Sequence, residues 1–136
     1  MTNRLQPAWL AGLGAVLSLG SVVWSSRAPA QTASPGTADG RDALRLQGEM
    51  LFETRCFVCH GRGGKGDGPA AVGLGANPRD FTDPRWQQAT SNAKIQRVIK
   101  QGGQSVGESS AMPPNADLSD AQVDALTVFL RSLKAL

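Results

Sequence analysis

The chain has 136 residues, a length typical of one domain, and a formal net charge of +3. Its positive charges are dispersed and its few aromatic residues do not alternate with Lys or Arg, which excludes a nucleic-acid-binding surface. The two cysteines and the one histidine all lie within residues 56–60. A structural zinc site is excluded, because it needs more ligands of this kind than the chain has.

Residues 1–30 have the composition of an export signal. Arg4 supplies a positive start, residues 7–24 form an uncharged and mostly apolar run, and Ala28-Pro29-Ala30 presents small residues to a signal peptidase. We expect cleavage after Ala30 and a periplasmic protein. The alternative is an uncleaved anchor, since residues 7–24 reach the lower length bound for spanning a bilayer. A membrane would be involved only in that case.

Small and polar residues dominate residues 31–40 and predict a flexible tether before a domain of residues 41–136. Residues 42–54 predict an amphipathic helix, because apolar residues such as Leu44 and Leu51 recur at three- and four-residue spacing. Gly48 interrupts this helix at a cost of about 1 kcal/mol relative to Ala. The glycine therefore indicates that another part of the chain approaches closely.

The pentapeptide Cys56-Phe57-Val58-Cys59-His60 follows this helix. Cys-x-x-Cys-His is the attachment signature of a c-type haem. The spacing allows both sulfurs to form thioether bonds to the vinyl groups of one porphyrin, and the adjacent imidazole then lies under the iron. A thioredoxin-like redox dithiol is the alternative, but that motif follows a strand, and the residues before Cys56 predict a helix.

The middle of the chain is predicted to consist mainly of loops. Five of the eight residues in 61–68 are Gly, which predicts a sharp turn around the haem edge. This segment lacks the spacing of phosphate-binding loops. Residues 76–86, with Pro78 and Pro84, predict an irregular loop, and residues 104–114 predict another.

Two further helices are predicted. The first covers residues 91–100 and ends at Gly102 and Gly103. The second begins near Ser119, whose spacing from Gln122 fits a capping box. Its core stripe consists of Val123, Leu126, Leu130 and Leu133, with Phe129 beside it.

No stretch alternates with period two for long enough to predict a strand. The fold class is therefore all-α, with three or more helices and long loops wrapped around one covalently attached haem. About 100 residues bury only a modest core. We expect the chain without haem to be poorly folded.

Residues 44–134 resemble the class I cytochromes c, and in particular small bacterial periplasmic cytochromes with one haem. In that family the first and last helices cross at glycine and aromatic positions, which accounts for Gly48. The residues that carry the resemblance are Gly48, Phe52, Cys56-Phe57-Val58-Cys59-His60, Gly66-Asp67-Gly68-Pro69, Pro78-Arg79-Asp80-Phe81, Met112-Pro113 and Phe129.

The resemblance implies iron ligation by His60 on the proximal side and Met112 on the distal side. Met112 lies in a loop between two predicted helices and precedes Pro113, like the Met-Pro of the family. Met50 is expected to fill the core instead, because it precedes the haem motif on the proximal side. A Lys ligand or a five-coordinate iron stays open as an alternative.

The resemblance also implies supporting roles around the haem. The carbonyl of Pro69 is expected to accept the proton on Nδ1 of His60, which orients the ring. Arg79 or Trp86 is expected to reach a haem propionate. The residues expected to border the exposed haem edge are Phe57 and Val58.

Ligation by His and Met leaves the iron no open position, which indicates one-electron transfer between redox proteins rather than an enzyme with a small-molecule substrate. Docking is expected to be transient and to use a small surface at the haem edge, rimmed by Arg55, Arg62 and Lys65. One alternative is a haem subunit of a larger periplasmic oxidoreductase. Another, if Met112 does not bind, is an open-iron enzyme or sensor.

Overall fold

The structure is a computed structural model and describes residues 38–134. The predicted signal segment, the alternative anchor and residues 31–37 of the predicted tether lie outside this range. Residues 38–134 form no strand, which confirms the all-α prediction. Their elements are α1 (Ala38–Arg55), α2 (Phe57–His60), α3 (Pro84–Ala89), α4 (Asn92–Gln101), a 3₁₀ turn (Gly103–Val106) and α5 (Asp120–Ser132).

The first helix begins four residues before its predicted start and includes residues 38–40 of the predicted tether. Asp39 lies in its first turn, where a carboxylate interacts favourably with the positive end of the helix dipole. No helix within residues 38–134 is both long enough and apolar enough to cross a membrane.

The prediction of an irregular loop over residues 76–86 was wrong at its end, because α3 begins at Pro84. The side chain of Asp83 accepts a hydrogen bond from the backbone N–H of Arg85 at 2.9 Å and so caps the helix. Proline suits the first helical position, where no intrahelical partner for the N–H exists. The Asp-Pro pair was therefore a readable start signal.

The two helices of the second half form as predicted. Ser91 caps α4 and Gly102 ends it. At the start of α5, Ser119 and Gln122 form a complete capping box: the Ser119 N–H donates to Oε1 of Gln122 at 2.8 Å, and the Gln122 N–H donates to the Ser119 hydroxyl at 3.3 Å. The predicted loop 104–114 differs at its beginning, which belongs to the 3₁₀ turn.

The contact of α1 with α5 builds the core. At Gly48 a Cβ would overlap the carbonyl oxygen of Ala125 and would lie 2.8 Å from Cβ of Phe129. This close approach explains the glycine in α1. Phe52, one turn further, is 1% exposed, and its ring centroid lies 5.2 Å from that of Phe129.

The opposite face of α1 is solvent-exposed. Met50 is 71% exposed and Leu46 is 51% exposed. The prediction that Met50 fills the core was therefore wrong. The buried residues of α1 lie on the helix face that contains Gly48 and Phe52, and Met50 lies on a different face.

Candidate haem site

The haem motif lies on the short helix α2, directly after α1. The backbone stays helical through the motif, since the N–H of Cys56 donates to the carbonyl of Phe52 at 2.8 Å and the N–H of His60 donates to that of Cys56 at 2.9 Å. Cys56, Cys59 and His60 all line one cleft. Both thiols are free, so two sulfurs and one imidazole face the same space.

The electrostatics of Cys56 disfavour the redox-dithiol alternative. Burial raises the pKa of its thiol to about 11, and the positive charge of Arg55 opposes this only in part. A redox dithiol depends on a lowered thiol pKa, because the thiolate is the reactive species. A metal site is a separate alternative for these residues. Within residues 38–134, no group of three His, Cys, Asp or Glu side chains is placed to hold a metal ion.

The ring of His60 is held from two sides. Its Nδ1 lies 3.1 Å from the carbonyl oxygen of Arg79, and because a carbonyl only accepts, Nδ1 carries the proton. The ring of Phe81 stacks on the imidazole with centroids 4.5 Å apart. Burial lowers the pKa of His60, while the hydrogen bond with Arg79 opposes that shift. The Nε2 atom is thereby left as the unprotonated ring nitrogen, the form in which imidazole binds a metal.

The resemblance implied that the Pro69 carbonyl accepts the proton on Nδ1 of His60, and this prediction was wrong. The carbonyl of Arg79 is the partner. Pro69 is exposed, and the chain just after it turns back to the haem motif, where the N–H of Ala70 donates to the carbonyl of Val58 at 2.8 Å. Segment 78–79 instead passes against Gly66, where any Cβ would overlap the carbonyl oxygen of Pro78. The glycine-rich segment 61–68 therefore lets the Arg79 carbonyl reach the imidazole ring of His60.

The segment after Arg79 is rigidified by a local turn. Oδ1 of Asp80 accepts hydrogen bonds from the hydroxyl and the backbone N–H of Thr82, both at 2.7 Å. The hydroxyl bond is the main reason that the pKa of Asp80 lies below its usual value. The N–H of Phe81 donates to the carbonyl of Gly64 at 2.7 Å. These bonds fix the two groups that contact the imidazole of His60, which are the Arg79 carbonyl and the Phe81 ring.

Met112 lines the same cleft as His60, and Met50 does not. The loop that carries Met112 is anchored to the end of α4 on both sides. The N–H of Gly103 donates to the Met112 carbonyl at 3.1 Å, and the N–H of Asn115 donates to the carbonyl of Ile99 at 2.9 Å. The structure therefore brings together the two side chains named as axial ligands, although 52 residues separate them in the sequence.

Arg79 and Trp86, the residues expected near a propionate, both line the cleft. The Trp86 ring packs on Phe81 at a centroid distance of 5.2 Å. Sequence reasoning missed Lys94, which lines the cleft in addition to Arg55 and Arg79. Its Nζ lies 2.8 Å from Oε1 of Glu108. Nothing in its local pattern distinguishes Lys94 from other exposed helix lysines.

The cleft suits a c-type haem. Much of its wall is apolar, and both thiols line it. Arg79 and Lys94 also line it, and both share Glu108 as an ion-pair partner, at 4.0 and 2.8 Å. The apolar wall includes Val58, Leu74, Phe81, Trp86, Ile95, Val98, Ile99 and Leu130.

Comparison with known proteins agrees with this geometry. The sequence profile of the cytochrome c family matches residues 46–134. The chain therefore belongs to the cytochrome c family. Domains of this family carry covalently attached haem c and act in electron transfer, and Cys56 and Cys59 fit the attachment motif.

Two proteins illustrate what the chain is similar to. The chain is 33% identical over 98 residues to the cbb3-type cytochrome c oxidase subunit FixP of Bradyrhizobium diazoefficiens, covering 71% of this chain and 29% of that protein. The chain thus spans less than a third of this curated relative. The solved structure of the KustC0563 c-type cytochrome is 32% identical with a TM-score of 0.52, and the match covers 65% of this chain and 98% of that one.

Proposed function

We propose that this chain is a periplasmic electron carrier whose haem iron is closed by His60 and Met112. It acts as a non-enzymatic shuttle that takes one electron from one redox protein and delivers it to another. The observation that carries the proposal is the convergence of His60 and Met112 on one cleft. The export signal predicted from the composition of residues 1–30 supports the compartment.

Ligation by methionine determines the chemistry expected of the site. A Met/His pair raises the reduction potential of haem iron. If His60 and Met112 both bound the iron, no position would be left for a substrate. Within the protein, the hydrogen bond from His60 Nδ1 to Arg79 orients the imidazole and increases its basicity.

The test is the absorption spectrum of the exported holoprotein and of Met112→Ala. Sulfur ligation produces a weak charge-transfer band in the ferric protein, and we expect this band in the wild type and its complete loss in Met112→Ala. The reduction potential should fall in the same variant. Met50→Ala is the matched control, because Met50 is 71% exposed and should leave both the band and the potential unchanged.

Two results would contradict this assignment. The first is a ferric wild-type protein without the band. The second is ready binding of carbon monoxide by the ferrous wild-type protein, which would show an open iron position and favour an enzyme or a sensor.

A second candidate is a haem subunit of a larger oxidoreductase, and the similarity to FixP favours it. An anchor formed by residues 7–24 would fit such a subunit. Size-exclusion chromatography of membrane and periplasmic fractions distinguishes the two candidates. A carrier elutes as the mature monomer from the periplasmic fraction, whereas a subunit elutes in a stable complex.

A further inference from the structure

Residues 70–76, which we call the apolar loop, form an exposed segment without charge. Their sequence is Ala-Ala-Val-Gly-Leu-Gly-Ala, and no residue from 68 to 78 is charged. Val72 at the centre is 91% exposed, the most exposed of the large hydrophobic side chains within residues 38–134. A side chain of this kind favours contact with another apolar surface.

The apolar loop lies at the mouth of the haem cleft. The N–H of Ala70 donates to the carbonyl of Val58 at 2.8 Å, which ties the beginning of the loop to the haem motif. Leu74 and Ala76, further along, line the cleft itself. Val58 is 42% exposed, so it extends the uncharged surface onto α2.

The outer side of the loop is open at two glycines. At Gly73 and at Gly75, an added Cβ would meet no atom within 4 Å. By contrast, a Cβ at Gly68, just before the loop, would lie 2.5 Å from both the carbonyl oxygen of Val58 and the carbonyl carbon of Cys59. The loop is therefore attached at its beginning and open along its outer side.

Two of the three cations expected from the sequence at the rim are paired with acidic side chains. Arg55 Nη1 lies 2.7 Å from Oδ2 of Asp117. Arg62 pairs with Glu53, and its guanidinium also lies over the Phe57 ring. Both arginines are paired in this way, and Lys65, the third residue of the expected rim, keeps a positive charge that acts on Asp80.

We propose that the apolar loop, together with Val58, is the docking surface for a redox protein that presents an uncharged apolar surface of its own. This inference rests on the proposed electron-transfer function. A charged partner surface is disfavoured here, because its charges would lose hydration against Val72 without gaining ion pairs. An apolar partner surface loses nothing of that kind and gains from burial of Val72 and Val58.

The test uses the full holoprotein and a gold electrode coated with a mixed methyl- and hydroxyl-terminated alkanethiol layer, which presents an uncharged and partly apolar surface. We expect a reversible one-electron wave whose rate constant changes little with salt. Val72→Asp and Val72→Lys should each lower that rate constant by roughly tenfold, as expected for a charge placed at the centre of a contact. Met50→Asp and Met50→Lys are the controls and should match the wild type.

The outcomes separate the docking surface from the function. Unchanged rate constants in both Val72 variants would contradict the proposed docking surface but not the proposed electron-transfer function. So would opposite effects of Asp and Lys, since these would indicate docking by charge. A wild-type protein without a reversible wave would overturn the proposed function. Equal absorption spectra and equal potentials of the Val72 variants and the wild type would show that the rate change arises from docking.

Discussion

At the scale of single residues, Gly48 shows how one position joins two helices. The carbonyl of Ala125 occupies the space that a side chain at position 48 would need, and Cβ of Phe129 lies 2.8 Å from that point. The aromatic pair Phe52 and Phe129 packs beside this contact. The family pattern of glycine and aromatic residues is therefore a consequence of sterics at the crossing.

Gly48→Ala should destabilise the protein although alanine is the better helix former. The propensity gain is about 1 kcal/mol, whereas overpacking a close contact costs roughly 1–3 kcal/mol, and more where the opposing atom is backbone. Thermal denaturation of the holoprotein should therefore show a lower melting temperature.

Gly63→Ala is the matched control for this substitution. A Cβ there would meet only the Lys65 side chain, at 3.9 Å. Its melting temperature should stay close to that of the wild type. A Gly48→Ala protein as stable as this control would contradict the steric account of the crossing.

At the scale of elements, Arg131 connects α5 to α3 and α4. Its Nη1 donates to the carbonyl of Gln87 at 2.7 Å and to Oε1 of Gln87 at 2.9 Å. Its Nη2 donates to the carbonyl of Thr90, and its Nε donates to Oδ1 of Asn92 at 2.8 Å. The amide of Gln87 in turn donates to the carbonyl of Phe81 at 2.7 Å. The segment that packs on His60 is therefore linked to the last helix.

Arg131→Lys should lower the free energy of unfolding by roughly 2–4 kcal/mol, because an ammonium group does not reproduce the planar fork of donors and leaves several acceptors unsatisfied. Urea denaturation of the holoprotein measures this loss. Arg85→Lys on α3 is the control, since the Arg85 side chain makes no hydrogen bond or ion pair to residues 38–134. Equal stability of the two variants would show that charge alone, not the fork, matters at position 131.

At the scale of the whole molecule, the cleft separates the haem motif from α4 and the Met112 loop. Its apolar wall draws on residues from α2, α3, α4, α5 and the intervening loops. Phe81, Ile95, Ile99 and Leu130 are mostly buried by other parts of the protein, and a haem would cover the surface that they still turn toward the cleft. Gly48, Phe52 and Phe129, which form the α1–α5 contact, do not line the cleft.

The double variant Cys56→Ser, Cys59→Ser, which has no thiol for attachment, should therefore lose most of its cooperative folding. Circular dichroism should show reduced helix content and a broad, shallow thermal transition, with the remaining helix assigned to α1 and α5. A sharp transition near the melting temperature of the holoprotein would contradict this view of the cofactor as part of the core.

The sequence by itself determined the features that depend on neighbouring residues. The haem motif, the capping box of Ser119 and Gln122, and the apolar spacing of α4 and α5 each lie within a few positions, so local hydrogen bonds and periodicity are enough to predict them. Gly48 also signalled a close contact, although not the identity of the opposing atom. The start of α3 at Asp83 and Pro84 was readable in the same way but was missed.

Only the tertiary structure decided the pairings between distant positions. These include Arg79 as the partner of His60, the placement of Met112 in the cleft of His60, the neutralisation of Arg55 by Asp117, and the exposure of Met50. Backbone carbonyls and surface charges carry no local signature of their partners. Their contacts depend on how loops of many residues fold over the cleft, and that path is set by packing of the whole chain.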